Sequence, residues 1–228
     1  MYKRRREFLK GFSFTMAAAV MSSLPGIQSP SQEAHVTTMQ GRVVMWAPAK
    51  GLGLEHLSLE YRGQDIFADG VVIGLGDETP FRARYRIQCD RAWKTREVIL
   101  ELLQEPEARL EFLADGLGHW KTRKGDPVPS LNGCIDVDIS VTPFTNTLVI
   151  RRMSLKPADS LELSVAYVSV PAMQFGAKRQ RYTCLDVNDQ GGRYRFEDLS
   201  SKFRADIQVD SDGLVTDYSG LFRHVWPL

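Results

Sequence analysis

From about residue 41 onward, apolar positions alternate with polar ones instead of recurring at helical spacing. Phe81, Ala83, Tyr85, Ile87 and Cys89 are interleaved with Arg82, Arg84, Arg86, Gln88 and Asp90, which predicts a strand with one buried and one charged face. Leu57, Leu59 and Tyr61 alternate in the same way with Ser58, Glu60 and Arg62, as do Leu161, Leu163, Val165 and Tyr167 with Glu162, Ser164, Ala166 and Val168. Further strand-like runs cover 98–103, 110–114, 135–141, 181–185, 194–196, 205–209 and 214–218. Turn signals at Arg62-Gly63-Gln64, Asn132-Gly133, residues 188–192 and Asp210-Ser211-Asp212-Gly213 separate them at hairpin spacing. Many short strands that each bury one face require a sheet that curls on itself or packs on a second layer. The expectation is therefore a mainly β, antiparallel domain over 41–228.

One segment breaks the alternation. Thr142-Pro143 is a hydroxyl residue followed by proline, the signature of a helix N-cap and first turn. Leu148, Val149, Ile150 and Met153 then give a helix a broad apolar face, although the β-branched pair Val149-Ile150 suits a strand equally well. A short helix inside the roll is expected.

The start of the chain belongs to neither pattern. Residues 11–24 form a weakly apolar stretch that ends at Pro25-Gly26 and is shorter than the ~20 residues a helix needs to span a bilayer. It follows Arg5-Arg6-Glu7-Phe8-Leu9-Lys10, which resembles the twin-arginine export pattern through Arg5, Arg6, Phe8, Leu9 and Lys10. Residues 1–30 are read as that signal and 31–40 as a polar tether, with the twin-arginine translocase as partner and the periplasm or another extracytoplasmic space as destination. Lys plus Arg total 29 and Asp plus Glu 28. Because Lys3, Arg4, Arg5, Arg6 and Lys10 sit in the leader, the remainder has a small acidic excess, and no basic field argues for nucleic acid. Cys89, Cys134 and Cys184 lie in no CxxC or Cys/His arrangement, so neither a metal nor a cofactor is expected.

The run 131–152, LNGCIDVDISVTPFTNTLVIRR, resembles the central block of the Putative glycolipid-binding family. Gly53-Leu54-Glu55-His56, Tyr85-x-Ile87, Asp90-x-x-Trp93-x-x-Arg96, Asp115-Gly116-x-Gly118-x-Trp120 and Gln180-Arg181-Tyr182 agree in order, as does Asp212-Gly213-Leu214-Val215-x-x-Tyr218. Val149 stands where the family usually has proline. The resemblance implies a spiral β-roll wrapped around a single helix, often dimeric, and akin to periplasmic lipid and lipoprotein carriers.

The candidate chemistry is spread along the chain. Asp136-x-Asp138 on a strand places two carboxylates on one face about 7 Å apart, fit for a cation, for acid–base work, or for ion pairs with Arg151 and Arg152. The histidines show no HExxH or HxH spacing and the serines no GxSxG elbow. Trp93, Trp120, Tyr85 and Tyr167 are flat side chains of the kind that stack on sugars or line acyl cavities, while Arg96, Arg152 and Arg181 suit an anionic head group. With His56, Asp136 and Asp138 these are the expected ligand-binding residues. The leading reading is an exported, non-catalytic binder of a lipid or glycolipid in a roll cavity. The alternatives are an enzyme acting on an envelope lipid or glycan through Asp136, Asp138 and His56, and a structural or adaptor homodimer.

Overall fold

The structure, a computed structural model, describes residues 41–76 and 79–227. The expected leader, tether and export motif, Arg5, Arg6, Phe8, Leu9 and Lys10 included, lie outside the described residues. Within them the chain forms β1 (Gly41–Pro48), β2 (Gly53–Arg62), β3 (Asp65–Gly76), β4 (Thr79–Asp90), β5 (Thr95–Leu102), β6 (Glu105–Ala114) and β7 (Trp120–Thr122). A 3₁₀ turn (Pro129–Leu131) leads to β8 (Asp136–Ile139) and the helix α1 (Phe144–Met153). There follow β9 (Ser160–Ser169), β10 (Gln174–Asn188), β11 (Gly191–Asp198), β12 (Arg204–Asp210), β13 (Val215–Tyr218) and β14 (Phe222–Trp226).

All the strands join one sheet in the order β7-β6-β5-β4-β3-β2-β1-β14-β13-β12-β11-β10-β9-β8. Among the described residues the protein is thus mainly β, as the alternation predicts, with one short helix and a sheet that is not closed into a barrel. Neighbouring strands are antiparallel except β8 and β9, which run parallel with Asp136 opposite Val165 and Asp138 opposite Tyr167. The parallel pair follows from α1, which carries the chain back along the sheet between the two strands as a crossover must.

The helix lies where the curl needs filling. Phe144 and Leu148 join the buried cluster formed by β1 to β6 together with residues of β7, β8 and β9, and Val149 and Ile150 join a second cluster formed largely by β9 to β13. Residues on several sides of α1 are buried, so its sequence lacks a charged face until Arg151 and Arg152 in the last turn. Its start is shifted by one residue from the sequence expectation: Pro143 is the cap, and the Thr142 hydroxyl accepts the Phe144 N–H at 3.0 Å.

Four strands were not anticipated from the pattern: β1, β3, β7 and β14. β3 runs through Asp69-Gly70 without a turn. A Cβ at Gly70 would sit 2.2 Å from the Tyr85 ring, so glycine there makes room for the tyrosine. Asn132-Gly133 is a turn but not a hairpin; Gly133 has φ 85° and donates its N–H to the Gly118 carbonyl at 2.8 Å. All three cysteines are buried and free.

Candidate functional site

A cleft of about 280 Å³ opens where the end of α1 meets two hairpins. One wall is Ile150, Arg151 and Ser154, followed by Leu155 and Lys156; the others are the β10–β11 turn, with Asn188, Gly191 and Gly192, and the β12–β13 turn, with Asp210, Ser211 and Gly213. Ser154 ends the helix in the left-handed region (φ 45°, ψ 46°) and donates its N–H to the Ile150 carbonyl, which turns the chain toward Lys156. Tyr194 forms part of the floor, and burial raises its phenol above the usual value.

The β12–β13 turn is organised by Asp210. Its Oδ1 accepts the N–H groups of Asp212 at 3.0 Å and Leu214 at 2.9 Å, while Oδ2 takes Arg42 Nη1 at 2.8 Å. Arg42 also meets Asp212 Oδ2 at 2.5 Å, so both turn carboxylates face the same guanidinium. Gly213, at φ 77°, leaves room for the stem of Arg151: a Cβ there would lie 2.7 Å from its Cδ.

The Arg151 guanidinium lies over the Trp93 ring, 5.4 Å from the centroid. Trp93 is itself held in a left-handed conformation (φ 61°), unusual for a bulky residue, and Tyr61 packs edge-on against it at 6.4 Å. The motif Asp90-x-x-Trp93-x-x-Arg96 builds that turn. Asp90 Oδ1 accepts Ala92 N–H at 2.9 Å and Lys94 N–H at 3.0 Å, and Oδ2 takes Arg96 Nη2 at 2.9 Å. Arg96 also donates to the Asp115 carbonyl. Two of the expected residues, Trp93 and Arg96, therefore support the cleft from beneath Arg151.

The remaining expected residues are placed elsewhere. Asp136 is fully buried in a bidentate pair with Arg152, at 2.9 and 2.5 Å; burial raises its carboxyl above the usual range while Arg152 pulls it down. Asp138, half-buried, accepts from Thr145 Oγ1 at 3.1 Å and Gln180 Nε2 at 2.6 Å, and is raised by burial as well. Trp120 donates its indole N–H to the Cys134 carbonyl at 2.7 Å inside the core. Tyr167 is covered by Lys178, whose Nζ lies 3.5 Å from the ring centroid, and Arg181 pairs with Glu162 and Glu197 on the outer face. His56 is exposed on β2 between Met45 and Val71, and no hydrogen bond or ion pair joins it to Asp136 or Asp138. Among the described residues, no group of three or more His, Cys, Asp or Glu side chains is arranged to hold a metal.

Tyr85 belongs to a buried triad that sequence reasoning missed. Glu55 Oε1 accepts both the Tyr85 hydroxyl at 2.5 Å and the Thr142 hydroxyl at 2.7 Å, whereas Oε2 has no partner. Burial pushes the Glu55 carboxyl up to about 8, so it is largely neutral at pH 7.

A family model described as Putative glycolipid-binding matches residues 43–224. The chain belongs to that family. A solved structure described as a DUF1089 family protein from Pseudomonas aeruginosa is similar to it, with 34% identity, a TM-score of 0.68, and coverage of 78% of this chain and 95% of that one. No curated protein matches.

For a Putative glycolipid-binding protein, the sequence signals missed here were available in part. Glu55 lies two residues before Leu57 and four before Leu59, so the period that marks those leucines as inward puts Glu55 inward too. Arg151, Tyr194 and Lys156 gave no such signal, because only the crossing of α1 with two distant hairpins brings them together.

Proposed function

We propose that the protein is a non-catalytic binder of a glycolipid, and that it takes the sugar head in the cleft between the end of α1 and the β10–β11 and β12–β13 turns. The cleft carries this reading. Its volume of about 280 Å³ lies just under the ~300–1,000 Å³ of drug-sized ligand sites, and suits a sugar head better than a whole lipid. The inner face of the sheet, where an acyl chain would be looked for, bears the two clusters of packed side chains. Membership of a family described as glycolipid-binding supports a binding role. The non-catalytic part is supported by the candidate acid–base groups: Asp136 is engaged by Arg152, Asp138 by Thr145 and Gln180, and His56 stands alone on the outer face.

The test is mass spectrometry of the organic extract of protein purified from its native host, beside a Val187→Trp variant that narrows the cleft mouth. Glycolipid is expected from the native protein and strongly reduced in the variant. Absence of lipid from both, or equal recovery from both, would reject the site.

We further propose that the chain acts outside the cytoplasm, on the strength of Arg5-Arg6 and the Phe8-Leu9-Lys10 that follows. Replacing Arg5 and Arg6 together with lysine is expected to hold the protein in the cytoplasmic fraction. Unchanged fractionation would refute the route.

A further inference from the structure

We infer that the cleft selects an acidic sugar head, one bearing a carboxylate or phosphate group, and that Arg151 is the residue that reads it; this rests on the cleft being the sugar site.

Some of the charges around the cleft are already engaged. Asp210 and Asp212 both face Arg42, and Asp210 also accepts two backbone N–H groups. The charged side-chain ends of Arg151 and Lys156, on the opposite wall, take part in none of the ion pairs or hydrogen bonds found among the described residues, although the Arg151 carbonyl accepts the Ser154 hydroxyl and the Lys156 backbone N–H donates to Asp159. A guanidinium offers five N–H donors in a planar fork that matches a carboxylate or phosphate two bonds at a time. Those of Arg151 are uncommitted, yet the group is not free to wander. Its stem is held against Gly213 and its plane lies over Trp93. Trp93 in turn is fixed in an unfavourable left-handed conformation by the Asp90 turn. These two contacts restrict the exposed Arg151 side chain before a ligand arrives, which lowers the ordering cost of an ion pair there.

The helix end works in the other direction. The last carbonyls of α1 amount to about half a negative charge. Basic residues in the last turn oppose it, and Arg151 and Lys156 each contribute a full positive charge at the cleft. The cleft therefore presents two cations that no protein carboxylate engages, and the planar guanidinium of Arg151 suits an acid group on a sugar ring.

The test compares glucose, glucuronate and glucose 6-phosphate as probes of the full-length protein, read by amide chemical shifts of Gly191, Gly192, Gly213 and Ser154. The two acidic sugars are expected to perturb these amides at about tenfold lower concentration than glucose, the gain of one charge-assisted contact. Arg151→Gln is expected to abolish that preference, so that the three sugars act at similar concentrations, and Arg151→Lys to restore part of it. The spectra themselves report whether each variant is folded. If all three sugars act at the cleft with equal strength, or if Arg151→Gln keeps the preference, the acidic selectivity is refuted and the sugar site stands. If none of them perturbs the cleft, both fall together.

Discussion

Glu55 shows how a single residue couples the fold to pH. Its carboxyl ionises near 4.5 when unfolded and near 8 in the protein, because burial opposes the charged form more than the Tyr85 and Thr142 hydroxyls favour it. The unfolded chain thus loses this proton first. The stability tied to the neutral acid is present in full below 4.5, declines between 4.5 and 8, and is gone above 8, a loss on the order of 5 kcal/mol. Glu55→Gln keeps an acceptor for both hydroxyls and cannot ionise. Urea denaturation from pH 5 to pH 9 is expected to show the variant gaining on the native protein with rising pH, and parallel curves would show that Glu55 is already ionised in the folded state. The residue was half legible in the sequence: alternation with Leu57 and Leu59 puts it inside, but nothing local tells that Tyr85 and Thr142 await it across the roll. Tyr61, by contrast, continues the same alternation and is 37% exposed, since the period holds only while the strand is covered.

At the scale of the element, α1 is the part whose placement everything else uses. Its existence was legible from Thr142-Pro143, its cap only to within one residue, and its burial on several sides from the resemblance that implies a roll wrapped around it more than from any pattern of its own residues. It is fixed to β8 by Asp136–Arg152, whose side chains are 0% and 14% exposed. The Asp136-x-Asp138 pattern was open between cation site, acid–base pair and ion pair, and the geometry of Arg152 realises the ion pair for Asp136. A buried pair of this kind is costly to break and cheap to replace. Arg152→Met alone is expected to cost about 3–5 kcal/mol in denaturant unfolding, and adding Asp136→Leu to recover most of it. A double variant as unstable as the single one would mean that Arg152 holds the helix by something other than this charge. Since Arg151 is the next residue on the same helical turn, loosening the pair is also the way to misplace the cleft without touching it.

The whole molecule presents a problem that the strand pattern could not reveal. Period two says that the strands have one dry face; it does not say whether the two edges of the sheet pair, and here β7 and β8 do not. What the edges lack in ladder hydrogen bonds is replaced by a seam between 115–120 and 131–134. Gly133 donates its N–H to Gly118, the Trp120 indole donates to the Cys134 carbonyl, and a Cβ on Gly118 would come within 2.9 Å of Gly133 Cα. Phe112 on β6 also meets Phe175 on β10 edge-on at 4.9 Å, across the curl. In this light Gly118 and Trp120, which the family resemblance singles out, are closure residues, and the indole nitrogen is the group to remove. Trp120→Phe keeps an aromatic ring in the core but leaves the Cys134 carbonyl buried without its donor, which is expected to cost about 1–3 kcal/mol. The loss should be local in its dynamics as well as global in its stability. Hydrogen exchange at the Gly133 and Cys134 amides is expected to quicken more than at Leu57 or Ile87, deep in the first cluster. If protection falls equally everywhere, Trp120 is ordinary core and the edges are held together by packing alone; if 131–134 opens first, an open sheet is being kept rolled by a seam two turns wide.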